Sequence, residues 1–320
     1  MPSFIPPELV REIIWYIFNS SPPVHSEEPG VSVKPPWKWL EGFSRTSKTS
    51  RDLVLQAWFS RLFIQLPSDI SYIHEHFFEL SGWTRELHCV QTESQKVDVW
   101  NLAGFERLSS IRLDWLPLTM IPHAYSNEAT EGLPFLHVPS SVVELDIRGL
   151  PWPSPACFTF VARNFPDLRI LRMRQKRIWC GLCHTCSMAS FLLPGPVVIN
   201  YENGLGLPIH YATILSSLEN LEAVYITIAY RASGNTVLDG ENDDSNPDLW
   251  VGECDRCMEI MYEDKEFREK WVSRKKRLNE DEQIDIRPPA LKKVVWKFWK
   301  VSDDDTDNLD EPDLSESEIL

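Results

Sequence analysis

The 320-residue sequence predicts an α/β protein in three parts: a short helical segment over residues 1–65, a strand-rich body over 66–300, and an acidic end over 301–320. Three observations carry that expectation. Residues 9–18 place apolar side chains at helical spacing. After residue 84 a short apolar pattern, Leu-x-x-Leu-x-Leu in type, returns again and again. The last twenty residues hold nine Asp or Glu and no Lys or Arg.

The helical segment opens at Pro6, Pro7 and Glu8. Proline suits a first helical turn, where its missing N–H would have no partner, and a carboxylate there faces the positive end of the helix dipole. Two apolar stripes follow side by side: Leu9, Ile13 and Ile17 form one, and Val10, Ile14 and Phe18 the other. So wide an arc exceeds what one packing partner needs. Pro22, Pro23, Pro29, Gly30, Pro35 and Pro36 then break the helix. A second helical stretch carries Leu40, Phe43, Leu53, Val54, Ala57, Trp58, Leu62 and Phe63.

The run Ile5-Pro6-Pro7-Glu8-Leu9-Val10-Arg11-Glu12-Ile13-Ile14 resembles the opening of an F-box, and residues 40–53, from Leu40 to Leu53, look like its second half. The resemblance implies that Pro6, Leu9, Ile13, Ile14 and Leu40 dock onto the Skp-type adaptor of a cullin–RING (SCF-type) ubiquitin ligase. The doubly apolar helix independently calls for a hydrophobic partner beyond its own bundle; the alternative is an ordinary helical hairpin capping the rest of the chain.

In the body the pattern recurs at Leu108/Ile111/Leu113, Val142/Leu145/Ile147, Leu168/Leu171/Met173, Leu221/Val224/Ile226 and Leu291/Val294/Trp296, with a weaker first copy at Thr84/Leu87/Cys89. Central residues are separated by 24, 34, 26, 53 and 70 positions. The first three steps approach the length of a leucine-rich repeat, and the last two read as repeats carrying insertions. Each copy supplies one strand whose alternate side chains enter a shared core, while a helix or loop returns the chain. Residues 155–165 and 211–218 are the expected returning helices. Leu116, Leu150 and Lys176 stand where such repeats carry asparagine, so the solenoid expected here is irregular and lacks an asparagine ladder. The alternative is a mixed α/β domain of buried strands. Together the two halves resemble large fungal F-box-like families, which implies that the body captures an unknown target protein for ubiquitination.

Five of seven cysteines fall in Cys180-Gly181-Leu182-Cys183-His184-Thr185-Cys186 and Cys254-Asp255-Arg256-Cys257. Two Cys-x-x-Cys knuckles supply the four soft ligands of a closed, structural zinc site. The preferred set is Cys180, Cys183, Cys254 and Cys257, with Cys186, or else His184, as a substitute ligand. A helix is expected over residues 259–278 with Ile260, Phe267, Trp271 and Leu278 on one face. Zinc would pin both insertions to the body. Two other readings stay open: unliganded core thiols, and redox chemistry, because Trp179-Cys180-Gly181-Leu182-Cys183 resembles a thioredoxin active site. Cys89 and Cys157 are expected in the core.

The net charge of −15 argues against general nucleic-acid binding; setting aside the nine acids of residues 301–320 leaves −6. That end is expected to be disordered, being too charged to bury a core. No apolar run reaches the ~18 residues of a membrane span. Glu8, Arg11 and Glu12 interrupt any signal-peptide core, so a cytoplasmic or nuclear protein is expected. Position 78, where a second histidine would complete a His-Glu-x-x-His site begun at His74, is Phe, and no other catalytic motif names a set of residues. A protein-binding, non-enzymatic role follows as the expectation.

Overall fold

The structure is a computed structural model that describes residues 5–20, 29–92, 99–116, 133–150, 153–187, 189–190, 198–231, 252, 254, 256–257, 260, 264–270, 273 and 286–300. It is a mixed α/β protein with a mostly parallel central sheet. The acidic end over 301–320, Trp271 and Leu278 lie outside the described residues.

Three helices come first: α1 (Pro7–Ser20), α2 (Lys38–Ser44) and α3 (Lys48–Ser60). Ser47 caps α3, its side-chain oxygen accepting the Ser50 N–H at 3.0 Å. The two apolar stripes of α1 part company. Ile14 and Phe18 pack with Leu40, Val54 and Ala57 in a small separate core, whereas Leu9 is 49% and Ile13 41% exposed. One helix face is sealed by α2 and α3, while the neighbouring stripe is exposed at Leu9 and Ile13 and half-buried at Ile17, which packs against the same core. Ile14 and Leu40, expected at a docking surface, lie in this small core at 0% exposure.

The second helical stretch also ends earlier than expected. Leu62 lies in a strand, β1 (Arg61–Ile64), whose side chains alternate between half-buried and buried. Next come α4 (Pro67–His76), α5 (Phe78–Trp83), β2 (Glu86–Thr92), β3 (Trp100–Asn101), β4 (Ser110–Leu116), β5 (Phe135–Leu136), β6 (Glu144–Arg148), α6 (Pro155–Asn164) and β7 (Ile170–Gln175). The chain continues through β8 (Ile178–Trp179), β9 (Cys186–Ser187), β10 (Ala189–Ser190), β11 (Val198–Glu202), α7 (Ile209–Leu215), β12 (Ala223–Arg231) and β13 (Lys293–Lys300). The two expected returning helices are present as α6 and α7.

Spatial order in the large sheet is β1-β2-β4-β6-β7-β12-β13-β11, parallel from β1 to β13 and antiparallel between β13 and β11. All six copies of the sequence pattern are strands of this sheet, in chain order and in one register. Leu87 pairs with Ile111, Ile111 with Leu145, Leu145 with Leu171, Leu171 with Val224 and Val224 with Val294. All six are buried in one continuous core.

Ahead of five of these six strands a turn also repeats. The N–H groups of Leu108, Val142, Leu168, Leu221 and Leu291 each donate to the carbonyl three residues back, at 3.0–3.2 Å. The carbonyls of Arg85, Ser109, Val143, Arg169 and Glu222 each accept two N–H groups from the next copy, which satisfies the backbone where strand pairing begins.

The opposite sheet face is polar, and residues 29–36 cross its β2–β4 end. Gly30 N–H donates to Asp114 Oδ2 at 2.7 Å; His88 Nε2 reaches the same oxygen at 2.7 Å, and the Arg112 guanidinium grips both oxygens at 2.8 Å. Asp114 is fully buried. Burial works to raise its carboxyl, but the hydrogen bonds from His88 and Arg112 outweigh it and hold Asp114 well below the usual carboxylate range. Further along the same segment, the Lys34 ammonium lies over the rings of Trp58 (4.9 Å) and Phe59 (5.3 Å). Burial, with the Arg61 charge, lowers its pKa to about 8.

Candidate metal centre

The strongest cluster of chemistry-bearing side chains hangs from two neighbouring strands, β7 and β12. Directly after β7 the chain forms an antiparallel hairpin of β8 and β9, and residues 180–185 are its loop. His184 takes a left-handed conformation (φ 57°), letting its N–H return to the Cys180 carbonyl at 3.1 Å. Cys180 N–H donates to the Thr185 carbonyl at 2.9 Å. The second knuckle belongs to the insertion after β12. There Gly252 (φ 84°) turns its carbonyl onto the Gly181 N–H at 2.9 Å, and Cys254 forms an antiparallel bridge with Ala189. Because β7 and β12 are paired, insertions that follow them emerge side by side, although Cys183 and Cys254 are 71 residues apart.

Cys180, Cys183, Cys254 and Cys257 converge with all four sulfurs within 4.8 Å of one another. Two pairs, Cys180–Cys257 and Cys183–Cys254, stand at 3.8 Å. A disulfide needs about 2.05 Å, so these are thiols. Four sulfurs bound about 2.3 Å from a central zinc would stand about 3.8 Å apart at the corners of a tetrahedron. The donor set fits that geometry, and the cluster could hold a metal ion.

Electrostatics point the same way. The hydrogen bond from Cys254, opposed by burial and helped by the backbone N–H groups of Cys183, Leu182 and Cys254, lowers the Cys180 pKa to about 5. Leu182 N–H lies 3.3 Å from the Cys180 sulfur. In turn the Cys254 thiol is pushed up, first by its hydrogen bond to Cys180 and then by burial, and Cys257 is pushed up to about 12, mainly by burial. One thiolate thus suppresses ionisation of its neighbours. A dication resolves the conflict, since it stabilises all the thiolates together.

The expected substitute ligands are not in this set. Cys186 turns away, its sulfur donating to the Pro153 carbonyl at 3.1 Å, and burial raises its pKa to about 11. His184 is exposed and outside the cluster of sulfurs. Cys89 and Cys157 are buried in the core. Helical backbone follows the second knuckle at 256–257, 260, 265–270 and 273, but Ile260 and Phe267 are exposed, so the apolar face expected there is not buried at these two positions. Nor does a helix follow Cys183, where the thioredoxin-like reading requires one; the chain enters β9 instead.

Sequence reasoning missed the supporting shell. His210 Nε2–H and the Tyr211 hydroxyl both donate to the Trp179 carbonyl, at 2.9 and 3.1 Å, fixing the residue just ahead of Cys180. Burial lowers the His210 pKa to about 4, which keeps the ring neutral. The nearest sequence signal was Gly252, two residues before a cysteine where a tight backbone approach is needed.

Fold and site together define a class: a mostly parallel α/β protein with a candidate four-cysteine metal centre. Set against known proteins, the chain matches no family model, no curated protein and no solved structure.

Proposed function

We propose that this chain is the substrate-recruiting F-box subunit of an SCF-type ubiquitin ligase, its α1–α3 unit binding a Skp-type adaptor and its sheet, an irregular leucine-rich-repeat solenoid, binding a target protein. The observation that carries the proposal is the unsealed stripe of α1. Leu9 and Ile13 remain exposed on a helix whose other apolar stripe is already packed, and Pro6 and Ile5 extend the same exposed surface. An apolar stripe left in water at the start of a folded unit marks an interaction site. In this reading the four cysteines hold a structural zinc that fixes the two insertions.

Copurification with the Skp adaptor tests the proposal. The wild-type chain is expected to bind, and Leu9→Asp with Ile13→Asp to abolish binding without loss of fold, because both side chains lie outside the core. Failure of the wild-type chain to bind, with no change in the double variant, sinks it.

A second reading is favoured by the four converging sulfurs: a zinc-stabilised interaction scaffold without a ligase link. It predicts about one zinc per chain and no adaptor binding. Metal analysis of the purified protein checks the zinc, and finding none with all thiols freely reactive would remove it.

A further inference from the structure

The helical unit carries a second surface feature besides the stripe of α1: a groove between α2 and α3 with a volume of about 580 Å³. The outward faces of the two helices build it. Leu40 on α2, and Val54 and Ala57 on α3, turn into the small core. Glu41 on α2, and Lys48, Arg51 and Leu55 at helical spacing on α3, are left lining the groove. Trp37, at the N-cap of α2, lines it as well. Its size falls among sites that hold small ligands, roughly 300–1,000 Å³.

Three cations line the groove, Arg45, Lys48 and Arg51, against one acid, Glu41. Arg45 takes that acid at 2.5 Å. The side chains of Lys48 and Arg51 are exposed and have no ion-pair or hydrogen-bond partner among the described residues. Asp52, next in sequence, is not part of the lining. Two neighbouring cations without a counter-ion repel each other, and a dianion relieves that repulsion. A phosphate monoester supplies one, with a charge of about −1.5 to −2 at pH 7. The −15 of the whole chain acts only weakly here, since exposed charges are screened beyond about 8 Å at physiological salt.

The apolar part of the lining is Trp37 and Leu55. Trp37 is 36% exposed, and its ring stands edge-to-face against Trp58 at 5.0 Å. A held, part-exposed indole offers a flat surface to a planar ring at little ordering cost. An inorganic anion would leave that surface unused. We propose that the α2–α3 groove binds a small aromatic phosphate monoester of the mononucleotide kind, its dianion taken by Lys48 and Arg51 and its ring by Trp37 and Leu55. The site shares no residue with the exposed stripe of α1, and it requires neither the adaptor nor the sheet.

The test is isothermal titration calorimetry of the full chain with adenosine monophosphate (AMP) as probe. One AMP per chain is expected, with a Kd below about 100 µM. Lys48→Glu with Arg51→Glu should weaken binding about tenfold or more. The double variant should melt no lower than the wild type, because carboxylates suit the first turn of a helix better than cations do. Loss of binding is then not loss of fold. Two part-ligands divide the probe. Glycerol phosphate keeps the charge without the ring, and adenosine keeps the ring without the charge. Each should bind at least about tenfold more weakly than AMP.

No AMP binding at about 1 mM, or equal binding by the charge-reversed chain, overturns the proposal. Glycerol phosphate binding as tightly as AMP removes the ring from the site, and adenosine binding as tightly removes the dianion; either result overturns it. So does binding of a single-stranded oligonucleotide with none of AMP, which would make the cations a nucleic-acid contact. AMP binding should survive Leu9→Asp/Ile13→Asp, and copurification with the adaptor is measured without AMP. The groove and the adaptor reading therefore fail separately.

Discussion

At the β2–β4 end of the sheet, residues 29–36 are fastened by one buried carboxylate with donors from the backbone, an arginine and a histidine. At the β7–β12 end, two insertions meet through four thiols and a few backbone hydrogen bonds. Both ends solve one problem, how to hold a non-repeating segment against a repeating sheet. The first end is complete within the polypeptide: a negative charge is buried with enough donors to satisfy it. The second brings together four sulfurs that could hold a metal ion, and a cation among them would let all four ionise. The β2–β4 tie should therefore withstand chelation and yield to acid or to loss of one charge, while the cysteine clamp should depend on metal.

The largest expected effect is removal of a metal held by the four cysteines. A strong chelator, or Cys180→Ser, should cost several kcal/mol at the β7–β12 end, since the apparent binding energy of a structural zinc is on the order of 10 kcal/mol. Hydrogen exchange should show the loss confined to residues 176–190 and 252–260, with β2 and β4 still protected. Uniform loss across the sheet would erase the distinction between the two ends.

Next in size is Asp114→Asn, expected to destabilise by about 3–5 kcal/mol because Arg112 is left in a buried site without its counter-charge. Denaturant unfolding of the metal-loaded protein measures it. Acid should imitate the substitution. The folded Asp114 carboxyl is held below its unfolded value, so its contribution is present in full above about pH 4 and is lost as pH falls below that. Stability of Asp114→Asn should fall less steeply than wild type through that range. The smallest effect is expected for Cys186→Ser, under about 1 kcal/mol and without change in bound metal, because Cys186 donates to a carbonyl that a serine hydroxyl can also reach. Loss of metal in that variant would restore Cys186 as a ligand.

The sheet was legible where each strand announces itself locally. Ile111 and Leu113, or Leu171 and Met173, mark inward positions whatever the rest of the chain does, and their common register follows from sharing one core. Strand β1 was missed although Phe59-x-x-Leu62-x-Ile64 is the same pattern, because Phe59 also closes α3 and the apolar run reads on as helix. Strand β11 runs against its neighbour and obeys no repeat. Of the candidate metal centre, the four sulfurs were legible from knuckle spacing, and only their placement separated them from Cys186. The two stripes of α1 looked equivalent in sequence; which one is sealed depends on Val54 and Ala57, forty residues on. The tie between Gly30 and Asp114 joins positions 84 residues apart and leaves no local trace.

The reversed strand β11 has a consequence of its own. A stack of parallel strands ends in a row of open backbone donors and acceptors, which invites another chain to pair there. Along β13 that row is occupied over Lys293–Lys297 by Val198–Glu202, which runs the opposite way. The open edge is thereby moved from the eight-residue β13 to the five-residue β11, and a shorter edge offers an incoming chain fewer backbone partners.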